Sequence, residues 1–216
     1  YISFNYVQYS SCNINLKFGD RGYWKNKMSL KNLFTIGSAN IVGTALSGIF
    51  WFVLATFINP DEYGLINYFV GIASIAYGVS CFGTINTMTV YTAKNIDLRS
   101  TLFSISLIGG LISSVVLYVV FQRFDVLLLT FGYIISSMAI GIQFGNKTFS
   151  KYAKLLLIQK GFTLVLGLGF YFWLGLDGII IALALTYVFY IPIIINGFKH
   201  SKLNLDLFKK KIKFIG

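Results

Sequence analysis

The sequence predicts an all-α integral membrane protein whose six transmembrane helices form one bundle. Three observations predict it. First, six apolar stretches divide the chain: Leu33–Ile58, Leu65–Val90, Thr101–Phe121, Val126–Gly145, Lys154–Leu174 and Gly178–Asn196. Each approaches or exceeds the roughly 20 helical residues that cross a hydrocarbon core of about 30 Å. Second, 56% of residues are hydrophobic and 12% are charged, whereas a water-facing domain carries about 25% charge. Third, the basic residues sort by side. Alternate connections carry Lys17, Arg21, Lys25, Lys27 and Lys31, then Lys94 and Arg99, then Lys147, Lys151 and Lys154. Lys199, Lys202, Lys209, Lys210, Lys211 and Lys213 close the series, which holds all but two of the 18 Lys and Arg. The intervening connections at 59–64, 122–125 and 175–177 hold only Arg123. An excess of Lys and Arg marks cytoplasmic loops, so both termini are expected in the cytoplasm.

The net charge of +11 is spread over every connection on one side. That reads as orientation and contact with anionic lipid headgroups, and no basic-aromatic module for DNA or RNA accompanies it. Nucleic acid is therefore not expected as a partner, and membrane lipid is. Cys12 and Cys81 make no metal or redox motif. Residues 1–27 are polar, aromatic and aperiodic, without the apolar core and cleavage site of a signal peptide. Two readings of them stand side by side: read-through ahead of a natural start at Met28, or a disordered cytoplasmic tail. Residues 28–196 form the six-helix unit and 197–216 a basic cytoplasmic segment.

Taken in order, the first span carries Ala39, Gly43 and Ser47 on one stripe and Asn40, Thr44 and Gly48 on the next. Small residues let helices approach in lipid, where burial of apolar surface gives no drive to associate. The turn Asn59-Pro60-Asp61-Glu62-Tyr63-Gly64 reverses the chain into the second span, which contains Cys81 and the polar group Thr84, Asn86, Thr87 and Thr89. Gly109, Gly110, Ser113 and Ser114 lie in the third span, Ser137, Gly141 and Gly145 in the fourth, and Gly161 and Gly169 in the fifth. Short connections predict three antiparallel hairpins, spans one with two, three with four and five with six. Beyond the sixth span, Leu203, Leu205, Leu207 and Phe208 interrupt the basic residues, as in an interfacial helix. Lys210-x-Ile212-x-x-Ile215-Gly216 repeats the spacing of Lys31-x-Leu33-x-x-Ile36-Gly37, which predicts a second lobe to follow.

No catalytic motif is present: no paired-His zinc site, nucleophile elbow or phosphate-binding glycine loop. Neither a metal nor a cofactor is expected, and the chain does not read as an enzyme. The only histidine, His200, lies among lysines of the tail. Asp61 and Glu62 are adjacent, so on a helix they diverge by about 100°, which suits a solvated turn better than paired acid-base work. Asn146-Lys147-Thr148 fits the glycosylation pattern but lies on the cytoplasmic side. Lys160 is the exception within the apolar stretches. A Lys at the membrane centre costs about 2.5–3.5 kcal/mol. It sits about 9 Å from the start of the fifth stretch, so its stem either snorkels to headgroups or faces a cavity. In a cavity it would attract an anionic substrate such as a diphosphate or an acidic sugar. Asn40, Asn67, Asn86 and Gln143 complete a mildly polar interior, and none of the six stretches contains an Asp or Glu.

Gly37-Ser38-Ala39-Asn40-Ile41-Val42-Gly43, continuing through Phe50-Trp51-Phe52 to Pro60-Asp61-Glu62-Tyr63-Gly64, resembles the opening of Wzx-type polysaccharide flippases. These belong to the superfamily that includes the MATE exporters. Gly175-Leu176-Asp177-Gly178 is similar to that family's Gly-x-x-Gly ahead of its sixth helix, and residues 209–216 resemble the basic lead into its seventh. The resemblance implies one lobe of a two-lobe bundle that moves isoprenoid-diphosphate-linked oligosaccharide across the cytoplasmic membrane. It implies substrate contact through Lys160 for the anionic headgroup, and the polar inventory of the spans adds Asn40, Asn67 and Asn86 to meet sugar hydroxyls. A second lobe of the same full-length chain, or a dimer partner, would complete the pathway. Other expectations stay open: a cation-coupled small-molecule exporter, a membrane-embedded transferase, or a structural membrane protein.

Overall fold

A computed structural model describes residues 30–81, 83–94 and 99–199. The 1–27 tail, Cys12, His200 and the basic segment beyond residue 199, with its repeat at 210–216, lie outside the described residues. Of those described, 93% are helical and none is in a strand. Helix α1 spans Leu30–Phe57, α2 Pro60–Ser80, α3 Thr84–Ala93, α4 Arg99–Phe121, α5 Phe124–Gly145 and α6 Phe149–Leu174. The last crossing is α7, Leu176–Leu185, then a 3-10 segment, Thr186–Tyr190, then α8, Ile191–Lys199. Six of these crossings are long and apolar enough to span a membrane. The chain is a multi-pass membrane protein. We call the end with Lys31, Lys94 and Lys147 the basic end and the opposite one the turn end.

Two crossings expected to be continuous are broken. The second divides at residues 81–83, where Gly83 turns to φ 69°, a left-handed conformation that costs a glycine nothing. The sixth tightens to 3-10 ahead of Pro192. The turn expected at 59–64 is shorter than the sequence suggested, because Pro60 already opens α2 and only Ile58 and Asn59 connect it to α1. Pro suits the first helical position, where its missing N–H has no partner to lose. Asp61 and Glu62 then fall in the first turn of α2, where the positive end of the helix dipole favours them.

Helix α5 is the axis of the bundle. Of its membrane window 67% is buried, against 17% for α1, α4 and α6 alike. Its small residues account for this. A Cβ on Gly141 would lie 3.2 Å from Met88 of α3, and one on Gly145 would lie 2.9 Å from the Thr89 carbonyl oxygen and run into Thr92. On another face, Gly132 receives the ring of Tyr187. Two apolar clusters share this axis. Phe50, Leu54, Ile66, Phe69, Val126, Leu129, Ile179 and Ile180 pack at the turn end. Cys81, Met88, Leu102, Ile134, Met138, Ile142, Tyr190 and Ile194 pack toward the basic end.

The hairpin expectation holds for α4 with α5 and for α6 with α7, which pack along one another. It fails for the first pair. Helices α1 and α2 barely touch, and α1 lies instead along α6. The pairs Asn40 with Tyr152, Gly43 with Leu156, Phe50 with Gly167 and Phe57 with Phe172 advance together along both helices, so the two run parallel. Of the expected stripes, Ala39–Gly43 is buried on α6, while Asn40, Thr44 and Gly48 remain exposed. Gly161 and Gly169 meet nothing; Gly167 makes the contact in their place, against the Phe50 ring.

Gly145→Val is expected to lower stability by about 1–3 kcal/mol through overpacking against Thr92 and the Thr89 backbone. Gly161→Val faces open space and should leave the melting midpoint of the detergent-solubilised protein unchanged; equal losses at both positions would contradict this packing.

Candidate functional site

The seam between α1 and α6 holds two of the four residues singled out in the sequence. Asn40 Oδ1 accepts a hydrogen bond from the Tyr152 hydroxyl at 3.0 Å. One turn further along α1, Gly43 faces Leu156 and the stem of Lys160; a Cβ at Gly43 would lie 3.6 Å from Lys160 Cγ. A Cβ there would make ordinary van der Waals contact, so this face of α1 packs closely along Leu156 and the Lys160 stem. Helix α6 begins at Phe149, five residues earlier than the apolar pattern suggested. Lys160 therefore lies about 16 Å along it, close to the middle of its roughly 39 Å length. Among the described residues no carboxylate pairs with it.

Gln159, the neighbour of Lys160, is buried and faces the sixth crossing, where its Oε1 accepts from the Tyr190 hydroxyl at 3.2 Å. Thr163 returns its hydroxyl to the Gln159 carbonyl at 2.9 Å.

Asn67 and Asn86 are not at this seam. Asn67 lies on α2 toward the turn end, and its Nδ2 donates to the Tyr63 carbonyl at 2.8 Å. Asn86 is exposed on α3, and neither α2 nor α3 packs along α6. The four residues do not form a single site within this bundle. Thr87 and Thr89 bond back to the Gly83 and Ile85 carbonyls, as hydroxyls in apolar helices can. Gln143 is the unexpected one. It is 3% exposed, and neither atom of its amide has a partner. Its sequence context, Ile142-Gln143-Phe144, gave no sign of that.

No family model, curated protein or solved structure matches the chain.

The one basic residue of the turn end has a separate role. Arg123 donates through Nε and Nη2 to both oxygens of Asp125, at 3.1 and 2.7 Å, and through Nη2 to Asp177 of α7. Its guanidinium also lies 4.5 Å from the Phe69 ring centre on α2. The Asp125 hydrogen bonds hold its pKa above the ordinary arginine value, against the opposing effect of burial. In the charge sorting Arg123 is an exception; the fold makes it a clamp joining α2, α5 and α7. Arg123→Leu would leave the Asp125 side chain, 8% exposed, without its partner. The expected loss is about 1–3 kcal/mol. Asp177→Asn, whose side chain is 66% exposed, should cost under about 1 kcal/mol. Thermal unfolding of the two variants side by side tests this order.

Proposed function

We propose that this chain is one lobe of a flippase for isoprenoid-diphosphate-linked oligosaccharide. It would lie in the cytoplasmic membrane with both termini in the cytoplasm. The observation that carries the reading is Lys160: a cation at mid-length of α6, its stem against Gly43 of α1 and, among the described residues, no carboxylate paired with it. An ionisable group at that depth marks a substrate or ion pathway by default. Its sign selects an anion, and a lipid diphosphate is an anion that already resides in the bilayer.

Two further features support the reading. Asn40, Thr44 and Gly48 on α1 and Asn86 on α3 face out of the bundle. Exposed amides at hydrocarbon depth need water or protein to cover them, which a second lobe enclosing a hydrated path would supply. The acidic residues among those described, Asp61, Glu62, Asp125 and Asp177, all lie in first turns at the turn end. A cation-coupled exporter that relays protons through intramembrane carboxylates has no group here to use. The orientation follows from the Lys and Arg bias of the connections.

In this mechanism the lobe rocks against its partner around the cavity, and Lys160 holds the diphosphate while the glycan passes. Asn40 accepts from Tyr152 through Oδ1 and keeps its Nδ2 donors for a sugar hydroxyl. Lys160→Ala is expected to slow translocation of a lipid-diphosphate glycan in proteoliposomes by at least about tenfold, the size of one charge-assisted hydrogen bond. Lys160→Arg should retain most of the rate. Unchanged transport in Lys160→Ala would overturn the assignment.

A further inference from the structure

The sixth crossing is interrupted at its midpoint, and the sequence explains why. Pro192 has no N–H to offer the Val188 carbonyl four residues back, and its ring crowds that carbonyl. Val188 takes the Ile191 N–H instead, a three-residue step, and Thr186–Tyr190 winds as 3-10 helix. Five residues is long for such a run, and a stretch of it inside a helix marks a hinge or strain. Three contacts hold the segment. The Tyr190 hydroxyl donates to Gln159 at 3.2 Å. Tyr187 lies over Gly132, where a Cβ would come within 2.7 Å of its ring. Its ring also packs edge-on against Tyr133, with centroids 5.3 Å apart.

We propose that this segment is a register switch, 3-10 in the present structure and α-helical in a second state that turns α8 on its axis. The geometry defines the movement. Five residues passing from about 120° to about 100° each rotate α8 by about 100° and shorten the crossing by about 2.5 Å. That rotation equals one residue of α-helix. Every residue of α8 then takes the place its predecessor held, to within about 1 Å along the axis.

The sequence of α8 accepts this exchange at one turn and resists it at the next. Ile194 is 6% exposed and Ile195 is 52% exposed. After the rotation Ile195 fills the place of Ile194 with an identical side chain, so the buried contact is remade. One turn later Phe198 follows Gly197. The Gly197 position leaves little room, since a Cβ there already lies 3.1 Å from Ile142 Cδ1. A phenylalanine at that place pushes the last turn of α8 off α5, and the bundle opens between them at its basic end. Gln143, next to Ile142 and without a partner for either amide atom, gains access to water when that seam parts. The second state leaves the Val188 carbonyl without the Ile191 donor and brings it against the Pro192 ring, a Pro-kinked α-helix whose cost keeps it the minor one. None of this depends on the transport reading.

Disulfide trapping in membranes tests it, using the chain with Cys12→Ser and Cys81→Ser. Ile142→Cys with Gly197→Cys reports the present register. Ile142→Cys with Phe198→Cys reports the rotated one, and the small thiol removes the obstruction at 198. In the otherwise unchanged chain the first pair should dominate. Pro192→Ala restores the missing donor and Tyr190→Phe removes the bond to Gln159. Each should raise the 142–198 yield several-fold at the expense of 142–197. A 142–198 yield that stays at background in both variants would overturn the switch, as would loss of both crosslinks together. If Pro192→Ala fails to fold, Tyr190→Phe alone decides.

Discussion

A peptide group in hydrocarbon has no water to bond, so every N–H and C=O of a crossing must find its partner within the protein. That constraint sets the shape of this chain more than any side chain does. It makes the crossings helical, and it dictates where a helix can be interrupted. Both interruptions, at residues 81–83 and at 186–190, abut α5, which lies between them. The thiol of Cys81 lies 3.9 Å from the Ser137 hydroxyl of α5, and Ser80 is 3.0 Å from Ser113 of α4. Tyr187 covers Gly132 of the same axial helix. Irregular backbone survives here because protein, not lipid, surrounds it. The small residues of α5 are the condition for that arrangement: only a helix with glycine at 132, 141 and 145 lets both broken crossings come this close.

The sequence made the number of crossings legible because each depends on a run of some twenty apolar residues, whereas α2 and α6 each begin five residues ahead of that run. The partner of each crossing was another matter. Short connections predict hairpins, and they predict correctly where facing surfaces fit, as between α4 and α5. For α1 the connection of two residues fixes only where the helix starts back. Gly43 and Phe50 find their fit on Leu156 and Gly167 of α6, more than a hundred residues away in sequence. In lipid there is no hydrophobic drive toward the nearest neighbour, so close packing chooses the partner. The breaks were legible in part: Pro192 stands plainly in the sixth crossing, whereas Gly83 differs in no way from glycines that continue a helix.

Two basic residues depart from the sidedness of the rest, and the fold separates them in kind. Arg123 meets Asp125, Asp177 and the Phe69 ring at the turn end. A guanidinium there forks between two carboxylates, so its charge is spent inside the structure, joining three crossings. Its exception to the charge rule is a matter of architecture. Lys160 has the aliphatic company of Gly43 and Leu156 and, among the described residues, no acid. It lies about 9 Å inside the apolar run that begins at Lys154, deeper than any other cation of the described residues. A charge kept in that run without an internal counter-ion is stabilised by what meets it from outside the bundle, whether headgroups, water, a facing protein surface or an anion. Where Arg123 closes its end of the fold, Lys160 leaves an interaction to be completed.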